Sequence, residues 1–155
     1  MTTQRIWLPK GPAREGDLRA LRMEKDPRVV ESVYKGWIAL LPCVACFRAG
    51  IVNKKQVVVA HVRMPIFEAG WRETGMQEKP NDRRTVPLCN DHHRDDSAIG
   101  QHQIGERKFW EDMGINPAEL CAALSDAFDN GASGLAVIAR ITGKARREPW
   151  ICVCE

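Results

Sequence analysis

A chain of 155 residues, 44% of them hydrophobic, is long enough for one domain with a core of its own. The formal net charge is only +3, so the sum singles out no class of partner, but its distribution is uneven. Residues 1–88 hold sixteen Lys/Arg against nine Asp/Glu and residues 89–130 hold three against nine, a basic front suited to an anionic polymer and an acidic stretch suited to a solvated helical face. Residues 1–21 are charged throughout and show no apolar signal-peptide segment; the longest apolar run, 37–47, is broken by Pro42 and is too short to span a bilayer. The expectation is a soluble cytoplasmic protein, in which closely paired cysteines point to metal rather than to disulfides.

In chain order, residues 1–26 read as a basic, largely extended arm with a short helix possible at 17–25. Asp26-Pro27 has the form of a helix start, and Val29, Val30, Val33, Trp37 and Leu40/Leu41 recur at helical spacing, predicting an amphipathic helix over 27–41 that Pro42 ends. A turn over 46–50 precedes a β-branched strand over 56–62 that ends at His61. Residues 65–80 read as loop, 85–88 as a second strand, and Asn90 as the opening of a helix, interrupted at 100–102 and resumed over 105–113 with Phe109 and Trp110 in the core. Asn116-Pro117-x-Glu119 is a strong helix N-terminus, and Asn130-Gly131 stops that helix near Phe128. Residues 135–141 are open between helix and strand, and 145–155 read as a tail. The division expected is an arm (1–26), a main domain (27–130) and an extension (131–155).

The chemistry-bearing pattern is Cys43-x-x-Cys46 followed by Cys89-x-x-His92, with His61 between the pairs and His93 directly behind the second. Structural zinc takes four sulfur or nitrogen ligands in a tetrahedron, and a Cx2C turn lets two thiolates converge on one ion. Cys43, Cys46, Cys89 and His92 are therefore the expected zinc ligands. The competing reading makes Cys43 and Cys46 small buried residues; a redox role is weaker because no thioredoxin-like βαβ pattern surrounds them. Cys121 falls on an apolar helical stretch and reads as core, and Cys152 and Cys154 read as incidental.

Strand, loop, strand, helix, with His61 on the first strand, is the order of a ββα-metal unit. The segments Leu41-Pro42-Cys43-x-x-Cys46, Ala60-His61-Val62, Lys79-Pro80-x-Asp82, Val86-Pro87-Leu88-Cys89-x-x-His92-His93 and His102-x-x-Gly105-Glu106-x-x-Phe109-Trp110 resemble the HNH (ββα-metal, His-Me finger) nucleases. The likeness is nearest to the phage recombination-enhancement nucleases that act with RecA filaments, and it covers residues 27–115. It implies an α+β fold with a zinc-stapled ββα-metal core and flanking helices. It further implies a metal-dependent endonuclease hydrolysing DNA phosphodiester bonds, with a phage or prophage recombination setting and a RecA filament as partner.

By the same resemblance, His61 matches the general base, and Asp82 would orient it or ligate the catalytic ion. His93 and His102 match ligands of a catalytic Mg²⁺, Mn²⁺ or Zn²⁺, and His93 belongs to the catalytic set. The gap of nine residues between them requires an extra turn or inserted loop, with Asp95 or Asp96 as a substitute ligand for His102. Arg63, Lys79, Arg83 and Arg84, with Arg72, Lys54 and Lys55, are candidate phosphate contacts. The arm (Arg5, Lys10, Arg14, Arg19, Arg22) could bind DNA or a filament without base specificity. The alternative function is a non-catalytic zinc module that binds DNA or a recombination protein.

Overall fold

A computed structural model describes residues 28–75, 78–94 and 98–143. The basic arm with its Asp26-Pro27 start, Asp95 and Asp96, and the tail with Cys152 and Cys154 lie outside the described residues. In order come α1 (Ser32–Ala39), α2 (Val44–Arg48), β1 (Val57–His61), a 3₁₀ turn (Phe67–Ala69), β2 (Thr85–Cys89), α3 (Asn90–His93), α4 (Gln101–Ile104), α5 (Glu106–Met113), α6 (Pro117–Asp129) and α7 (Gly134–Thr142). This is a small mixed α+β architecture.

The strands pair antiparallel, with Val57 opposite Cys89 and His61 opposite Thr85. Cys89 lies four residue steps along the strand from Thr85, so the two ends of the ribbon are about 13 Å apart. One end carries Cys89 and the other His61. Every residue of β2 is buried, because helices cover it: α1, α2, α3 and α6 all pack against this strand. The strand expected over 56–62 is therefore present as 57–61, and the second as 85–89.

The helix expected over 27–41 is shorter and turned relative to its expected face. Residues 28–31 are not helical, and Glu31 caps a helix that begins at Ser32. Tyr34, Ile38 and Leu41 face the core, whereas Val33 (74% exposed) and Leu40 (73%) point outward. Both stripes have helical spacing, and an apolar pattern alone does not choose between them. Tertiary contacts choose: Phe128 of α6 stacks edge-on against Tyr34 at 5.2 Å and lies 5.5 Å from Trp37, and aromatic pairs of this kind add to plain area burial.

The remaining helices follow their local signals. Asn116 Oδ1 accepts the N–H groups of Ala118 and Glu119 (2.9 and 3.4 Å), and Pro117 occupies the first helical position of α6. Phe109 and Trp110 are buried, as is Cys121, whose thiol is pushed up in pKa by that burial. Residues 135–141 are helical within α7, capped by Ser133 Oγ on Ala136 N–H at 3.3 Å. Ile138 of α7 is fully buried in the same core, so this part of the stretch 131–155 packs with the main domain. A Cβ on Gly134 would stand 2.8 Å from Leu41 and Trp37 side-chain atoms, which is why this contact takes glycine. Arg48 ties the layers together by donating to the carbonyls of Met113 (3.1 Å) and Thr142 (2.8 Å). Among the described residues no helix is long and apolar enough to cross a membrane.

Candidate metal centre and histidine site

α1 stops at Ala39, and past Pro42 the chain enters the turn of α2, where Cys43 is the N-cap and its Sγ accepts the Cys46 N–H at 3.5 Å. Cys89 closes β2, and the single turn of α3 returns His92 over it. All four residues are buried, and their ligand atoms lie within 4.8 Å of one another. Cys46 and Cys89 sulfurs are 3.8 Å apart, and His92 Nδ1 stands 3.6, 3.5 and 3.0 Å from the sulfurs of Cys43, Cys46 and Cys89. A tetrahedral zinc ion with its usual bond lengths would space two sulfurs by about 3.8 Å and a sulfur and a nitrogen by about 3.6 Å. The donor set therefore fits a metal such as zinc in both identity and spacing.

The electrostatics agree. Hydrogen bonding with Cys43 and Cys89, together with burial, pushes the Cys46 thiol up, while contacts with Cys43 and Cys46 hold Cys89 down. Burial opposes charge on His92, yet the sulfurs of Cys43 and Cys89 outweigh it and push the imidazole up to about 10. Crowded thiolates thus demand positive charge, which a divalent cation meets. Asn53 supports the cluster from outside: its Nδ2 donates to Cys46 Sγ at 3.6 Å, and its carbonyl accepts the Cys43 N–H at 2.8 Å.

At the other end of the ribbon, His61 Nε2 meets Asp82 Oδ1 at 3.1 Å. Asp82 is fully buried. Its Oδ2 accepts the Glu31 N–H at 3.0 Å and pairs with Lys35 Nζ at 3.0 Å, and Arg28 stands 3.7 Å from Oδ1. Burial alone would raise this carboxyl, but Lys35, the Glu31 N–H and His61 hold it down to about 2. It is a carboxylate at neutral pH, so it only accepts hydrogen bonds, and the proton of this contact sits on His61 Nε2. The His61 pKa is lowered, chiefly by burial and further by Lys35 and Arg28, against the opposing pull of Asp82.

His93 and His102 come together across their nine-residue gap. Their Nε2 atoms are 3.3 Å apart and their rings nearly perpendicular. The return is made by a turn and the short α4, as the spacing requires. Gly100 opens α4 where a Cβ would lie 1.9 Å from the Arg94 carbonyl oxygen, so the chain closes there only with glycine. Two imidazole nitrogens on one tetrahedral ion would lie about 3.4 Å apart, and the observed pair fits that edge. The Asp82 oxygens are engaged by His61, Lys35, Arg28 and the Glu31 N–H. Among the described residues, only Cys43, Cys46, Cys89 and His92 form a cluster of three or more His, Cys, Asp or Glu ligands.

The basic candidates separate by environment. The Arg63 guanidinium donates to the carbonyls of Gly75 (2.7 Å) and Glu78 (3.3 Å), shaping the loop between the strands. Arg83 pairs with Glu31 (2.6 Å) and Asp129 (2.9 Å) and lies over the rings of Tyr34 and Phe128. Arg84 lies over Trp71, and Lys79 is exposed. Arg83→Ala is accordingly expected to lower stability by about 1–2 kcal/mol in thermal melts. Unchanged melting would show that the Glu31 and Asp129 pairs and the ring contacts contribute nothing measurable.

Sequence reasoning missed Lys35, Arg28, Asn53 and the role of Glu106. The carboxylate of Glu106 accepts the N–H groups of Arg63 and Met64 (2.9 and 2.8 Å), fixing the backbone just beyond His61. Burial raises its pKa against those two donors. One signal was available for Lys35: it is the single charged residue in α1. Comparison with known protein families, curated proteins and solved structures returned no match. What the fold and the site define is a small α+β protein with a buried Cys₃His cluster at one end of a two-stranded ribbon and a His–Asp–Lys arrangement at the other.

Proposed function

We propose that the chain is a metal-dependent HNH-type endonuclease that hydrolyses DNA phosphodiester bonds, with zinc in the Cys₃His cluster as a structural staple. The observation that carries this reading is His61 at the end of β1, held through Nε2 by a buried, ionised Asp82. That contact leaves Nδ1 of the neutral ring as a base. In the proposed step His61 Nδ1 takes a proton from water as the water oxygen bonds to phosphorus. The P–O3′ bond breaks, and the leaving oxygen is protonated from solvent. A divalent ion on His93 and His102 would offset charge on the phosphate and the departing oxygen. Imidazole donors favour Mn²⁺ or Zn²⁺ there over Mg²⁺, which prefers oxygen ligands. Lys35 holds Asp82 in place, and Glu106 holds the backbone after His61. Action with a RecA filament in phage recombination is part of the proposal and rests on the sequence resemblance.

The test is nicking of supercoiled plasmid in Mg²⁺ or Mn²⁺, with and without a RecA–single-strand filament. Metal-dependent nicked product is expected. No product in any lane, from folded and zinc-loaded protein, would sink the nuclease reading. One observation favours a second reading, a non-catalytic zinc module binding DNA or a recombination protein: the Cys₃His group is the only multi-ligand cluster among the described residues.

The pH profile supplies a further check. A base must be unprotonated, so activity should fall as pH drops through the His61 pKa, which lies below the ordinary histidine value. Lys35→Met removes a cation that disfavours imidazolium, so the acid limb should move to higher pH. A limb that stays in place, or moves down, would remove Lys35 and Asp82 from control of the base.

A further inference from the structure

Helix α1 is apolar on both sides. Its inner face enters the core through Tyr34 and Ile38, while Val33, Gly36 and Leu40, spaced i, i+3 and i+7, form an outer stripe. Val33 is 74% exposed and Leu40 73%, with half-buried Trp37 between them. A helix at a protein surface ordinarily turns charged residues outward. Here the single charged residue of α1, Lys35, is paired with Asp82, and Glu31 just ahead of the helix is paired with Arg83. Gly36 stands in the middle of the stripe, where a Cβ would meet nothing within 4 Å. Glycine inside a helix costs about 1 kcal/mol against alanine, and the packing of a single copy does not require it. The stripe continues onto α7: Gly134 fits against Trp37 and Leu41, and its neighbour Leu135 is 41% exposed. With Val30, 62% exposed just ahead of the helix, the patch amounts to roughly 500 Å², near the upper end of what a monomer leaves bare.

We infer that this face is a contact between two copies of the chain, α1 against α1, with Gly36 at the closest approach. Three features select a second copy as the occupant. The stripe carries no charge, so it meets its own image across a two-fold axis without repulsion and offers an acidic or basic partner nothing to pair with. A glycine at its centre lets two helix backbones come close. Two such patches together bury about 1,000 Å², the lower bound of a specific interface, which makes the dimer a reversible one of micromolar affinity. The use of two His61 sites on the two strands of a duplex rests on the nuclease reading, whereas the association itself does not.

The experiment is sedimentation equilibrium of the full zinc-loaded chain over a concentration series reaching about 200 µM, in low and in high salt. The wild-type mass should rise from 17.4 kDa toward twice that value, equally in both salts, as an apolar contact requires. Val33→Glu should weaken association at least about fiftyfold, because each dimer would bury two unpaired carboxylates. The monomer should stay folded, since Val33 is exposed in the first turn of α1, where an acidic side chain suits the helix end. Arg107→Glu, an exposed change on α5, should associate as the wild type does. A wild-type mass fixed at 17.4 kDa throughout overturns the inference. In that case a lower melting temperature for Val33→Glu would give the face to another segment of the same chain, and unchanged melting would leave it bare. Equal association of Val33→Glu and wild type, or association abolished by salt, likewise overturns it. Parallel plasmid nicking separates the two ideas. Nicking by a monomer removes only the interface; a Val33-dependent dimer that does not nick removes only the nuclease.

Discussion

Cys89→Ser should release bound zinc and leave a chain that no longer melts cooperatively. Cys89 is a strand residue and a ligand at once: its backbone pairs with Val57 and its sulfur lies 3.8 Å from Cys46 and 3.0 Å from His92. Structural zinc contributes on the order of 10 kcal/mol of binding free energy that is also folding free energy, comparable to the whole stability of a small domain. The four ligands join α2, β2 and α3, so an ion held by them would cross-link three elements at one point of the core. Cys43→Ser should behave alike, and a strong chelator should do to the wild type what either substitution does. The checks are zinc content by atomic absorption and the thermal transition by circular dichroism. A soluble Cys43→Ser/Cys89→Ser protein with the wild-type transition would overturn the four-ligand assignment.

The second large effect concerns His61. His61→Ala should reduce metal-dependent nicking by about 10²–10⁴-fold, the range that a positioned acid or base contributes. The fold should survive, because His61 ends a strand with its side chain only partly buried and its core neighbours Ala60 and Val62 unchanged. Oligonucleotide binding and the melting transition should therefore stay near wild type, which separates a lost base from a lost fold. Asp82→Asn should fall between the two proteins in rate, since it keeps an oxygen for His61 but gives up the charge that Lys35 and Arg28 now balance. Nicking by His61→Ala at the wild-type rate would remove the proposed mechanism, whatever became of the zinc.

Both predictions begin from residues that stand out in the chain, and the reason is physical. A Cx2C pair is a local device: two thiolates three residues apart converge wherever the backbone makes one turn. Its partner pair, Cys89 and His92, is likewise one turn. Two local devices of matching chemistry therefore pointed to one cluster that could hold a metal. The N-terminus of α6 was legible for the same reason, since Asn116 and Pro117 satisfy helix-end groups within their own turn. His61 at a strand end, and Phe109 and Trp110 in the core, followed from patterns that neighbouring residues complete.

Other features depend on contacts between distant segments. Helix α1 carries two apolar stripes, and only Phe128, some ninety positions away, selects the one bearing Tyr34 and Ile38. That choice turns Lys35 toward Asp82 and makes a plain helical lysine part of the histidine site. Arg83 and Arg84 are adjacent and chemically identical, yet one is clamped between Glu31 and Asp129 while the other lies over Trp71. Glu106 reads as the first residue of an amphipathic helix and works as a clamp on the β1 exit.

The sequence by itself determined the ligands of the metal cluster, the order of strands and principal helices, and the candidacy of His61, Asp82, His93 and His102, because each is written in spacings of a turn or a strand. The tertiary structure alone decided which face of α1 is buried, which partners Arg83 and Arg84 take, and which groups set the charge around His61. Those depend on burial and on ion pairs between segments far apart in the chain, and a local pattern carries no information about which distant surface it will meet.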